Sequence, residues 1–149
     1  MSEPLLRVEG LVKEFPGRRS VLDWLARRPA APVRAVDGIG FELRPGEVLA
    51  IVGESGSGKT TTGNLLMGLL PATEGRVLLD GAEVGRLSRR DLQRLRRRVQ
   101  MVFQDPYESL NPRMRVGEIV AEPLVVHGLG GAAERAELVR STLEEVGLR

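Results

Sequence analysis

Eight consecutive residues, Gly53-Glu54-Ser55-Gly56-Ser57-Gly58-Lys59-Thr60, satisfy the pattern G-x-x-x-x-G-K-S/T in full. Glycines at these positions let successive backbone N–H groups turn inward where a Cβ would obstruct them, so the main chain itself forms a cradle for a densely charged phosphate group. Lys59 reaches the terminal phosphates of a nucleotide held there, and the Thr60 hydroxyl is a ligand for Mg²⁺. A helix opening near Lys59 adds the positive end of its dipole. A Gly/Ser turn meets this full pattern by chance in roughly one chain of this length in a hundred or fewer. The flanks narrow the odds further, since the mechanism requires a strand before the loop and a helix after it.

Both flanks read that way. Glu47 to Val52, EVLAIV, is a short apolar stretch with glycine on either side, the pattern of a fully buried parallel strand. Lys59 to Leu70 is predicted to be a helix that Pro71 stops. Ahead of them, Leu5 to Phe15 alternates as a half-buried strand broken at Gly10, and Val33 to Leu43 forms strand interrupted at Gly38 and Gly40. Between these two, Pro16 to Pro32 holds three prolines and four arginines around Val21, Leu22, Trp24 and Leu25, and reads as an excursion loop. Downstream, Arg76 to Asp80 is a strand ending in a Gly81 turn. Ser88 with Asp91 forms a capping box before a short amphipathic helix carrying Leu92, Leu95 and Val99. Val99 to Gln104 returns to strand character, Asp105 to Arg115 is loop, and Val116 to His127 and Ala132 to Val146 are helices. Ala136, Val139, Leu143 and Val146 share one face of the second, and Gly147 is its stop.

Composition bounds the rest. The 149 residues suffice for one domain, and 42% apolar with 28% charged residues fits a globular chain rather than a disordered one. Of 22 basic side chains only Lys13 and Lys59 are lysines, and 20 acidic residues bring the net charge to +2. That balance is weak evidence for a nucleic-acid surface. Arg86 to Arg98 does contain seven arginines, but without interleaved aromatics it reads as a solvated helix face. The absence of cysteine removes disulfides, thiolate metal sites and thiol nucleophiles. With one Trp, one Tyr and three Phe, the core must be mostly aliphatic. No apolar run approaches the roughly 18 to 20 residues that span a bilayer, and the N-terminus lacks the pattern of a secretion signal. A membrane role is therefore expected to run through a partner.

The loop GESGSGKTT, followed some forty residues later by VQMVFQDPYESLNPRMRVGEIVAEPL, resembles the ATP-binding subunit of ABC transporters, most closely the branch that energises oligopeptide and dipeptide importers. The likeness runs from LVKEF through AVDGIGFEL to EEVGLR. It implies an α/β P-loop NTPase fold: a RecA-like ATPase core with an antiparallel β-subdomain over residues 1–104, then the Q-loop and first part of a helical subdomain over 105–149. It implies ATP and Mg²⁺ as cofactors, held by Gly53 through Thr60 with Thr61. Lys59 and Gln104 are the expected catalytic residues, and Thr60 and Gln104 the expected Mg²⁺ ligands.

Gln104 matches the Q-loop glutamine, whose neutral amide oxygen can engage and release Mg²⁺ or the attacking water without a large electrostatic cost. Phe15 matches the aromatic residue that stacks on adenine; simple core packing is its alternative reading, and Trp24 is a distant second platform. The loop after Gln104 is expected to receive transmembrane permease subunits, with a second ATP-binding subunit completing each site. No nucleic-acid partner is expected, and the location is peripheral, at the cytoplasmic face of the membrane. His127 reads as a capping or surface residue, and Val77 to Asp80 as a strand-turn that only imitates a Walker B strand.

By the same resemblance, the signature sequence, the Walker B aspartate, the catalytic glutamate and the switch histidine belong beyond Arg149. The 149 residues are therefore expected to bind ATP weakly without completing hydrolysis, and to leave apolar strand edges unpaired. Two other functions stay open on sequence: a soluble ABC-type ATPase without a membrane partner, and an inactive truncated product.

Overall fold

The structure is a computed structural model, in which residues 3–17, 31–104 and 110–148 are described. It divides into two compact units, one up to Met101 and one from Val102 onward. Trp24, most of the excursion between Pro16 and Pro32, and residues 105–109 lie outside the described residues.

The first unit is built on a four-stranded antiparallel sheet in the order β2-β1-β3-β4. Its strands are β1 (Leu6–Phe15), β2 (Val33–Leu43), β3 (Glu74–Leu79) and the two-residue β4 (Ala82–Glu83). Alternation alone would put Val8 and Gly10 on one face. Between Val8↔Phe41 and Leu11↔Ile39 the register shifts by one residue, a bulge at the predicted break. The shift brings Leu11 into phase with Val8, and Leu11 becomes fully buried. Val36, Leu65, Val77, Leu79 and Val84 complete this aliphatic core.

The register is marked on the polar side by charges placed directly opposite one another. Arg7 pairs with Glu42 at 2.8 Å, Arg76 with Glu9 at 2.6 Å and Arg34 with Glu14 at 2.8 Å, each across a matched strand position. These contacts are solvent-exposed and screened, so they mark the register more than they stabilise it.

Helix α1 (Lys59–Leu66) follows the glycine-rich loop. It ends four residues before the expected stop, because Gly68 at φ +62° takes the left-handed conformation that closes a helix without Cβ strain. The Gly68 amide donates to the Leu65 carbonyl at 3.1 Å and the Leu69 amide to the Asn64 carbonyl at 2.9 Å. After a single 3-10 turn (Val84–Arg86), α2 (Arg89–Arg96) starts at the expected cap, with the Asp91 amide donating to Ser88 Oγ at 3.2 Å. Asp80 sits in the turn after β3 and pairs with Arg98, so the Walker B look-alike is a strand-turn.

The second unit contains α3 (Val116–Val126) and α4 (Ala132–Glu145). Each begins with a glutamate reaching back to the chain: Arg115 N donates to Glu118 Oε2 at 2.8 Å and Gly131 N to Glu134 Oε2 at 2.7 Å. Each ends in the same way as α1, with Leu129 N on Leu124 O at 2.8 Å and Leu148 N on Leu143 O at 2.9 Å. His127 is the residue that closes α3, as expected. On the apolar face read for α4, Val139 is buried and Leu143 half-buried, while Ala136 and Val146 are exposed.

Two expected strands are not strands. Residues 47–52 and 99–104 form no ladder, and Val48, Val52 and Val102 are 97%, 91% and 91% exposed. A strand is a property of a pair, and among the described residues neither segment meets a partner. Val48, Val52 and Val102 stand open, while Val99 packs against the aliphatic core and Met101 is half-buried.

Candidate functional site

The loop from Gly53 to Gly58 is held on its helix side. Gly58 caps α1 at φ +91°, and a Cβ built there would lie 2.2 Å from the Ala35 carbonyl oxygen of β2. Only a glycine fits both that dihedral and that approach. One turn on, the amide and Oγ1 of Thr62 both donate to the Gly58 carbonyl, at 2.8 and 3.0 Å, and Thr62 is itself buried. Loop, helix and β2 are thereby locked at one point.

Within the loop, Ser57 N donates to Glu54 O at 3.2 Å, closing a turn. Lys59 folds back over it, its Nζ donating to the carbonyls of Gly53 and Glu54 at 2.7 Å each, with Ser57 Oγ at 3.4 Å. Those partners are neutral oxygens, and among the described residues no carboxylate pairs with the ammonium. The first turn of α1 carries no acidic residue and its cap makes no side-chain hydrogen bond. A cation with its charge uncompensated and a helix N-terminus with its donors uncapped thus sit on one loop. That combination fits an anion, and a phosphate group in particular. Thr60 is exposed beside it and Thr61 half-buried.

Phe15 lies at the end of β1, half-buried, opposite Val33 of β2. Val33 is two residues from Ala35, whose carbonyl abuts Gly58, so the aromatic ring belongs to a strand pair that reaches the phosphate loop within about 7 Å of extended chain. The ammonium of Lys13 stands over the ring, 5.2 Å from its centroid. Sequence reading passed over this contact, as it did Thr62 and Ala35; the pattern Lys13-Glu14-Phe15, an i, i+2 pair on one face of a strand, was the available signal for it.

Gln104 belongs to the second unit and is exposed. The four glycine-flanked groups Gly53, Glu54, Ser55 and Gly56 are likewise exposed, with their loop open to solvent. Several of the seven arginines between Arg86 and Arg98 have partners within the fold. Arg86 pairs with Glu83 at 3.1 Å, Arg94 with Asp91 at 3.4 Å and Arg98 with Asp80, and Arg96 donates to the Gly68 carbonyl at 3.2 Å.

Comparison with known proteins agrees with this geometry. The chain is 48% identical over 147 residues to the glutathione import ATP-binding protein of Salmonella typhimurium, covering 99% of this chain and 23% of that protein. It is 45% identical over 145 residues to a putative peptide import ATP-binding protein of Brucella ovis, covering 97% of this chain and 42% of the relative. It therefore spans less than half the length of these relatives.

Among solved structures, an ATP-binding cassette captured as a dimer in a post-hydrolysis state with ADP and Pi superposes with a TM-score of 0.71 at 25% identity, over 97% of this chain and 58% of that one. A cassette from Clostridium perfringens, described as part of an ABC transporter complex, gives 0.68 at 28% identity, over 99% and 52%. The fold is that of an ABC ATPase cassette. The profile of the ABC transporter family matches residues 36–149, and the chain belongs to that family.

Proposed function

We propose that this chain is the nucleotide-binding portion of an import ATPase that couples ATP binding and hydrolysis to the transport of a solute, with peptides as the solute class. The observation that carries the reading is the Lys59 ammonium held over its own loop by neutral carbonyls beside the uncapped start of α1. An arriving triphosphate offers that ammonium better, charged acceptors than the Gly53 and Glu54 carbonyls. Backbone N–H groups of the loop and of the first turn of α1 then hold the phosphates, while Phe15 takes the adenine. The names of the relatives, glutathione and peptide import proteins, support the solute class.

This reading assigns Thr60 as the loop's Mg²⁺ ligand. Among the described residues no three His, Cys, Asp or Glu side chains come together, so the ion would be shared between that hydroxyl, phosphate oxygens and water, as Mg²⁺ at nucleotide sites usually is. Its chemistry there is to neutralise charge on the phosphates.

Gln104 acts as a sensor between the nucleotide and the permease-facing loop that follows it. A second ATP-binding subunit completes the site, and the subunit sits peripherally on the cytoplasmic face of the membrane. No helix among the described residues is long and apolar enough to cross a bilayer; in this reading, contact with the membrane runs through the permease. Hydrolysis also needs an oriented water and stabilisation of charge on the transferred phosphoryl group. This chain by itself is therefore expected to bind Mg·ATP weakly and to turn over at background rate.

Equilibrium binding of a fluorescent ATP analogue, with and without Mg²⁺, to wild type and Lys59→Ala tests the loop. Equal affinity would remove the assignment. For the whole subunit assembled with its permease, Gln104→Ala should depress solute uptake per ATP hydrolysed more than ATP affinity; the reverse pattern would remove the sensor role.

A further inference from the structure

The 149 residues use arginine twenty times and lysine twice. One lysine is Lys59 of the phosphate loop. The other is Lys13, whose Nζ lies 5.2 Å from the Phe15 ring centroid and donates at 2.7 Å to the carbonyl of Pro71. A compact ammonium carries three donors around a point charge, so it can place charge over a ring face while one N–H serves a carbonyl; the planar guanidinium must divide its fork between the two tasks.

Pro71 lies just beyond the turn that ends α1, the helix carrying the phosphate loop at its other end. The same stretch is stapled to β1 twice more, by Thr73 N on the Val12 carbonyl at 2.9 Å and by Glu14 N on Thr73 Oγ1 at 3.0 Å. Lys13 thus ties the aromatic ring to the segment that follows α1, and α1 is locked to β2 through Gly58 and Ala35.

We propose that Lys13 is a positioning residue for the nucleotide base: its ammonium seats the Phe15 ring by a cation–π contact from one face, leaving the opposite face for adenine. The inference rests on Phe15 being the adenine platform. A ring free to turn about its side-chain torsions must be ordered when the base arrives, whereas a ring already clamped by a cation is not. Lys13 takes no part in holding phosphates, so its influence is confined to the base.

The test compares ATP with inorganic tripolyphosphate, which has the phosphates and no base, by equilibrium titration of the 149-residue chain. Variants are Lys13→Met, Lys13→Arg and Phe15→Leu, with melting curves for each. Lys13→Met keeps the aliphatic stem and loses the charge; it should weaken ATP about three- to fivefold, the scale of an exposed cation–π contact, and leave tripolyphosphate unchanged. Lys13→Arg should retain more ATP affinity than Lys13→Met, because a cation still covers the ring. Phe15→Leu should weaken ATP at least as much as Lys13→Met.

If Phe15→Leu weakens ATP and Lys13→Met does not, the role of Lys13 is overturned while the platform stands. If Phe15→Leu binds ATP like wild type, the platform falls and the proposal with it. Parallel loss of ATP and tripolyphosphate in Lys13→Met would make Lys13 a support of the fold, and equal loss in Lys13→Arg and Lys13→Met would show that charge is not what matters; either overturns the proposal.

Discussion

The two sides of the phosphate loop have opposite fates, and the more apolar side is the exposed one. After the loop, α1 buries Leu65 to 3% exposure and Thr62 to 4%, and Gly58 abuts the β2 backbone. Before it, Val48 and Val52 are 97% and 91% exposed, and Leu49 and Ile51 are nearly half exposed. Burial follows partners, not hydrophobicity alone: Leu65 has the β1, β2 and β3 core to meet, whereas 47–52 has no strand beside it among the described residues. The loop is therefore preorganised from its helix side. Substitutions on that side should cost fold or ligand, and substitutions on the other should cost neither.

The largest effect is expected where partnership is complete. Leu11→Ala empties a fully buried position shared by β1 and the core, and should lower unfolding free energy by about 2–5 kcal/mol. Urea titration followed by circular dichroism would read it as a lowered midpoint. A chain that keeps its wild-type midpoint would show that the β1–β2–β3 core does not carry the stability.

Next comes Gly58→Ala, which meets both a left-handed dihedral and the Ala35 carbonyl 2.2 Å from the new Cβ. Backbone strain of this kind is about 1–3 kcal/mol, so melting temperature and ATP affinity should fall together. Lys59→Ala separates the two readouts. It removes a solvent-facing ammonium and no core packing, so the melting curve should persist while ATP affinity drops by about tenfold or more, the cost of a charge-assisted contact. Loss of stability in Lys59→Ala would mean that the Lys59 bonds to the Gly53 and Glu54 carbonyls support the fold.

The sequence made the phosphate loop legible because its chemistry is local: the glycines, Lys59 and Thr60 lie within eight residues and their roles follow from backbone geometry. The strands β1 and β2 were legible too, from alternation and the glycine breaks. Their antiparallel pairing came only from the family resemblance, and the ion pairs of Arg7, Glu9 and Glu14 depend on a register that β1 alone does not carry. EVLAIV was misleading because periodicity reports what a segment would bury, and the partner that makes it a strand is non-local. The stop of α1 was placed at Pro71 when Gly68 had already ended it, a competition between two breakers that proximity to the last apolar turn decides. The i, i+2 spacing of Lys13 and Phe15 hinted at their contact, but the Pro71 carbonyl that fixes the ammonium lies 58 residues away and was not legible in the sequence.

On the open side of the loop, Val52→Ser should change unfolding free energy by no more than about 0.5 kcal/mol, as for an exposed site. It should also reduce binding of a dye that reports exposed apolar surface, because Val52 contributes to such a patch. A large destabilisation would mean that 47–52 is buried in solution, by self-association or otherwise, and sedimentation across a concentration series would tell the two apart.

The smallest effect belongs to a contact that has partners but no burial. On α4, Arg140 reaches Glu137 at 2.5 Å and Glu144 at 2.7 Å, three and four residues away along the helix. The hydrogen bond from Arg140, and then its charge, hold the Glu137 carboxyl below its ordinary value of 4.5. A carboxyl lowered in the folded state binds its proton less readily there than in the unfolded chain. Its contribution to stability is therefore present above the ordinary carboxylate range and is lost as pH falls through the lowered folded value. Glu137→Gln should thus leave the melting temperature slightly reduced at neutral pH and indistinguishable from wild type well below pH 4.5, the ordinary value for the group. Because the pair is solvent-exposed, added salt should shrink even the neutral-pH difference. Melting curves at pH 7 and pH 3, each at low and high salt, would check the sign. A difference that grew on acidification would show that Glu137 acts through something other than its ionised pair with Arg140.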